Sequence, residues 1–230
     1  MKKFLFFAAL LAWIPSIAPA QSAAGSAMPS EQEISRILVE RLGDFKDRAG
    51  IVVGIVSPSG RRTFAYGHYA GNDARQVSGD TVFEIGSTTK VFTSLLLADM
   101  VRRGEVSLSD PVSRYLPSGV RVPERGGRAI TLEDLARHRS GLPRLPSNLD
   151  AGANPLNPYA QYSVQNLYDF LSGYTLPRDI GATFEYSNLG AGLLGHVLSL
   201  AAGKDYETLI RTRICEPLGM KDTVVTLTPE

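Results

Sequence analysis

One junction constrains this chain more than any other. An extended apolar run, Thr81-Val82-Phe83-Glu84-Ile85-Gly86, gives way to an apolar helical stretch, and Ser87-Thr88-Thr89-Lys90 stands at the turnover. No other Ser-x-x-Lys occurs in the sequence. On a helix, positions i and i+3 share a face, so the Lys90 ammonium can reach the Ser87 hydroxyl. The first turn of a helix also leaves backbone N–H groups unpaired and carries the positive end of the macrodipole. A serine placed there sits among donors that favour an alkoxide or a tetrahedral oxyanion. A lysine held in a dry pocket beside it loses part of its preference for charge and can serve as a base. The competing reading is an N-cap serine followed by a surface lysine.

A second triplet, Tyr186-Ser187-Asn188, precedes another glycine-rich apolar helix, Leu189 to Ala202. In a turn, a phenol and an amide spaced i, i+2 can both point into one cleft. The alternative is a tyrosine packed at a helix entry with Asn188 as its N-cap.

Taken together, Phe83-Glu84-Ile85-Gly86-Ser87-Thr88-Thr89-Lys90 and Tyr186-Ser187-Asn188 resemble the class C β-lactamase-related serine hydrolases and penicillin-binding proteins. Class A enzymes would show Ser-Asp-Asn as the second motif, and no such tripeptide occurs here. The stretches Asp110 to Pro117, Ile130 to Leu135, His138 to Pro143 and Pro217 to Thr223 resemble family segments as well, with Arg139 standing where threonine is usual. Gly119 to Pro123 and Thr226 to Pro229 look most like the D-alanyl-D-alanine carboxypeptidase/endopeptidase branch. The resemblance implies an acyl-enzyme mechanism on peptidoglycan peptides or β-lactams, without a cofactor. Ser87 would be the nucleophile, Lys90 and Tyr186 would share the proton traffic, and Asn188 would orient the substrate amide and help hold Lys90. Which of Lys90 and Tyr186 is the general base stays open. So does the choice among peptidase, β-lactamase and esterase on one scaffold, and an inactive remnant or binding module is the rival of a different class. The family's third element, Lys-Thr-Gly or a His/Lys variant, does not occur before the sequence ends at Glu230. The expectation is therefore a domain over residues 21–230 that lacks its C-terminal strands.

Residues 1–20 read as a signal peptide. Lys2 and Lys3 form the charged region, Phe4 to Ile14 the apolar core, and Ala18-Pro19-Ala20 the cleavage site. An uncleaved anchor is the alternative, although the apolar run is short for a bilayer. The expected location is the periplasm. The whole chain has 24 basic and 23 acidic side chains, and loss of the leader would leave a net charge near −1. That balance gives no electrostatic footprint for nucleic acid. Cys215 is the single cysteine, so no intrachain disulfide is available, and it reads as a small buried hydrophobe. With 43% hydrophobic residues, an ordinary core can carry the fold. The oligomeric state is left open.

The remaining pattern predicts an α/β (α+β) fold, a sheet flanked by helices with a mostly helical second lobe. Ser30-Glu31-Gln32-Glu33 is a capping box ahead of an apolar face formed by Ile34, Ile37, Leu38, Leu42 and Phe45. Ile51 to Val56, a turn at Pro58-Ser59-Gly60 and Arg62 to Tyr66 form a hairpin. Helices are expected over Ser87 to about Arg103 with Gly104 as C-cap, and over Ser163 to Leu171, Leu189 to Ala202 and Tyr206 to Ile214. Gly190-Ala191-Gly192-Leu193-Leu194-Gly195 matches the dinucleotide fingerprint, but no βαβ unit surrounds it, so close helix packing is the preferred role. His68, His138 and His196 show no ligand spacing, His196 reads as a satisfied core histidine, and no metal is assigned.

Overall fold

Ser30 starts the first helix of the protein. In the computed structural model, which describes residues 28–45, 49–69, 73–149, 157 and 159–227, its Oγ accepts the Glu33 N–H at 3.2 Å. The expected signal segment lies outside the described residues. Two units form, one up to Thr81 and one from Val82 onward.

In the first unit, helix α1 (Glu31–Leu42) buries Ile34, Leu38 and Leu42, while Ile37 is 39% exposed and does not join that stripe. The Phe45 side chain is outside the described set. The narrow stripe follows from what α1 covers, a two-stranded antiparallel hairpin of β1 (Gly50–Ser57) and β2 (Gly60–Gly67). The register pairs Ile51 with Tyr66 and Val53 with Phe64. Because side chains alternate along a strand, these residues share the face that packs on Ile34 and Leu38. The opposite face carries Val56, which is 79% exposed. The hairpin is thus where alternation put it.

The extended run ahead of Ser87 is not a strand. Thr81–Ile85 has no regular structure, Ile85 already has helical dihedrals, and Val82, Phe83 and Ile85 stay 58%, 48% and 45% exposed. Apolar residues alone do not make a strand without a neighbour to complete its hydrogen bonds.

The second unit is built around α5 (Asn188–Ala202), apolar on most of its surface and packed by α2 (Thr89–Arg102), α3 (Leu132–Ala136) and α6 (Tyr206–Ile210). Leu193, Leu194, Val197 and Leu198 of α5 meet Leu96 and Met100 of α2, Leu135 of α3 and Leu209 of α6 in one buried cluster. Helix α4 (Val164–Gly173) adds Leu167, Phe170 and Leu171, and starts with a capping box between Ser163 and Asn166. The helix expected to run to Ile214 instead leaves α6 through a π-helical turn, Arg211–Cys215. Cys215 is buried there, and burial pushes its thiol above the ordinary value.

The glycine-rich motif lies inside α5, not at a strand-to-helix turn. A Cβ on Gly190 would stand 3.2 Å from Ser187 Oγ, and one on Gly195 would stand 3.2 Å from the Tyr206 ring. Those two glycines serve close packing, whereas Gly192 meets nothing within 4 Å. His196 sits on the same helix with Nε2 2.7 Å from the Tyr168 hydroxyl, so it is satisfied as expected but half-buried rather than in the core. Among the described residues, no helix is long and apolar enough to cross a membrane.

Candidate active site

Gly86 adopts φ +52, a conformation open to glycine at no steric cost, and this bend leads into a 3-10 turn at Gly86–Thr88. Helix α2 proper then begins at Thr89, so Ser87 precedes it by one short turn. Its hydroxyl does not cap the helix, since the N-cap is Thr88 and makes no side-chain bond. The reading of Ser87 as a mere N-cap therefore fails. The hydroxyl turns toward other side chains.

Lys90 Nζ donates to Ser87 Oγ at 3.2 Å and to Asn188 Oδ1 at 2.8 Å. Ser87 Oγ lies 2.5 Å from Tyr186 Oη, and either oxygen can donate. The same ammonium stands 4.7 Å from the centre of the Tyr186 ring. All four expected residues thus meet at one point. Bonding to Lys90 first, then to Ser87, pulls the Tyr186 phenol below its ordinary value, and the charges of Lys90 and Arg144 act the same way. As the phenolate, a tyrosine so placed can take a proton from the serine, and an ammonium so placed favours that phenolate.

Capping chemistry explains why Asn188 is available. Ser187, not Asn188, is the N-cap of α5, with its Oγ accepting the Gly190 N–H at 2.8 Å and donating to the Pro143 carbonyl at 2.6 Å. The Asn188 backbone N–H goes to the Arg144 carbonyl at 2.9 Å, which leaves the side-chain amide for Lys90. The 185–188 segment is thereby docked on residues 138–144. Arg139, the departure from the usual threonine, ties that segment to Gly181 by donating from its guanidinium at 3.0 Å and accepting the Gly181 N–H at 2.8 Å.

Two residues at this point went unread in the sequence. The Arg144 guanidinium lies 5.1 Å over the Tyr186 ring. The His138 ring lies 4.8 Å from it, tilted by 35°. The only available signal was their place in and beside His138-Arg139-Ser140-Gly141-Leu142-Pro143, because histidine spacing alone implied nothing. Beside Asn188 opens a cavity of about 240 Å³ whose walls include Leu145, Leu149, Tyr162, Leu167 and Leu193. Its mostly apolar lining suits an uncharged portion of a ligand.

The fold is shared with known proteins. The chain belongs to the beta-lactamase family, whose model matches residues 37–230. It is 34% identical to the D-alanyl-D-alanine-carboxypeptidase/endopeptidase AmpH of Escherichia coli K12, over 100% of this chain and 59% of that protein. It is 30% identical to penicillin-binding protein 4* of Bacillus subtilis, over 82% of this chain and 40% of that one. Among solved structures, the beta-lactamase/D-alanine carboxypeptidase of Yersinia pestis superposes with a TM-score of 0.71 at 29% identity, covering 86% of this chain and 57% of that one. The D-alanine carboxypeptidase AmpC of Burkholderia cenocepacia gives 0.67 at 26% identity, covering 86% and 50%. The chain thus spans about three-fifths of the length of the AmpH relative.

Proposed function

We propose that this protein is a serine acyl-transfer hydrolase acting on D-alanyl-D-alanine-type peptides of the cell wall. The observation that carries this reading is the contact of Ser87 Oγ with both Tyr186 Oη and Lys90 Nζ. Ser87 attacks the carbonyl carbon as its proton passes to the phenolate oxygen of Tyr186, 2.5 Å away. Lys90 remains the cation that favours the phenolate and the serine alkoxide, and Asn188 holds Lys90 while offering its amide to the substrate. The tetrahedral intermediate collapses by expelling the D-alanine amine, which takes the proton back from Tyr186. Water then hydrolyses the Ser87 ester by the same route in reverse. Of the two candidates for the base, the geometry favours Tyr186, whose oxygen lies 2.5 Å from Ser87 Oγ against 3.2 Å for Lys90 Nζ.

A β-lactamase would use the same residues, and the Yersinia pestis neighbour carries both activities in its name. Release of D-alanine from a muropeptide against turnover of a chromogenic cephalosporin separates the two. We also place the protein in the periplasm, exported by residues 1–20.

The deciding experiment is covalent labelling with a fluorescent penicillin. Wild-type protein should label at Ser87. Ser87→Ala should lose labelling altogether, since removing a nucleophile that acts as one unit with its base costs on the order of a millionfold in the serine-protease precedent. Persistent labelling of Ser87→Ala would overturn the assignment.

A further inference from the structure

We propose that His138 is the positioning residue that holds the Tyr186 phenol against Ser87, and that it does so only as the neutral Nε2–H tautomer. Its effect on rate rests on the hydrolase reading above, while the clamp itself does not. The His138 carbonyl accepts the Glu185 N–H at 2.8 Å, and its Nδ1 accepts the Ser187 N–H at 3.1 Å. Those two amides flank Tyr186, so one residue grips the chain on both sides of the phenol while its ring lies against the phenol ring. His138 is also the one non-glycine residue with positive φ among the described residues, at +55. Backbone strain of this kind persists only where surrounding structure demands it. Here it aims carbonyl and ring at the same short segment.

The tautomer follows from the hydrogen bond. A backbone N–H cannot give up its proton, so Nδ1 must present a lone pair and the ring proton must sit on Nε2. Protonating the ring would set two donors face to face and place an imidazolium near Lys90. The ring faces Lys90 from α2, the Tyr186 phenol and, edge-on, the uncharged Phe184 ring. The adjacent Arg137 and Arg139 are committed elsewhere, to Glu133 and to the Gly181 carbonyl. Burial, and then the Lys90 charge, lower the pKa of His138 and so favour the neutral ring.

The test uses the full chain and two substitutions. His138→Gly accepts the positive φ but removes the ring, whereas His138→Asn tolerates that φ and keeps an acceptor close to the Nδ1 position. The ¹³Cζ resonance of Tyr186, identified with Tyr186→Phe, should titrate below the ordinary 10.0 in wild type and in His138→Asn, and move up in His138→Gly. Labelling of Ser87 by fluorescent penicillin should fall about 10²-fold in His138→Gly, the cost of a small misplacement at a reacting group, and should largely recover in His138→Asn. Below the ordinary histidine range, wild-type labelling should fall more steeply than the Tyr186 titration alone gives, and His138→Asn should lack that added steepness. If His138→Gly does not fold, ¹⁵N-histidine spectra of wild type decide the matter. A proton on Nδ1 at neutral pH, or an unshifted Tyr186 titration in folded His138→Gly, overturns the proposal. Absence of any labelling in wild type would instead defeat the hydrolase reading, leaving tautomer and tyrosine titration to judge the clamp.

Discussion

In the proposed mechanism, Tyr186 concentrates the chemistry into a single hydroxyl. Its ring has Lys90 at 4.7 Å and Arg144 at 5.1 Å, so an anionic phenolate is the form these cations favour. Tyr186→Phe keeps the ring beside them and removes only the oxygen 2.5 Å from Ser87. The acylation rate should fall about 10²–10⁴-fold, the usual span for a lost general base, with little change in KM. The sign of the pH dependence follows from the lowered phenol value: the phenolate fraction grows as pH rises, so the wild-type rate should climb with pH to a midpoint below 10.0. In Tyr186→Phe the climb should vanish. A phenylalanine variant with the same rise would return the role of base to Lys90.

Among the elements, the start of α5 matters most for the site. Ser187 is 1% exposed, and its hydroxyl both caps the helix and ties it to the Pro143 carbonyl. Ser187→Ala leaves the Gly190 N–H and the Pro143 carbonyl without that partner, in a place water does not reach. The expected loss is about 1–3 kcal/mol, the cost of an unsatisfied buried polar group together with a lost cap. Urea unfolding should show a lower midpoint at an unchanged slope, since the surface exposed on unfolding stays the same. An unchanged midpoint would mean that other bonds define this junction. Element by element, the sequence was most legible where the signal is local. Helix α4, Val164–Gly173, lies where a helix was expected from Ser163 to Leu171, and the hairpin turned at Pro58-Ser59 as composition and alternation required. The run Thr81 to Gly86 misled because its residue types suit a strand, while a strand also needs a hydrogen-bonded neighbour.

At the scale of the whole molecule, each unit has its own apolar cluster. Ile34, Leu38 and Phe64 serve the first, and a much larger set around α5 serves the second. The single cysteine, Cys215, is free and buried, so apolar packing and hydrogen bonds carry stability without a disulfide. Export belongs to this scale too. If residues 1–20 act as a leader, intact mass or N-terminal sequencing of the periplasmic protein should begin at Gln21. A cytoplasmic product that retains Met1 would remove the localisation.

By itself the sequence determined what lies within reach of one helical turn or one hairpin. Ser87 and Lys90 were readable as partners because the pitch of a helix brings i and i+3 together wherever that helix is placed. The family motifs then nominated Tyr186 and Asn188. Only the tertiary structure decided that Tyr186 Oη stands 2.5 Å from a serine 99 residues earlier, because that distance depends on how α5 packs and on what docks its first turn. The part played by His138 was invisible for the same reason. Its grip on Glu185 and Ser187 depends on a positive φ and on a contact across 49 residues, and neither leaves a period or a spacing in the chain.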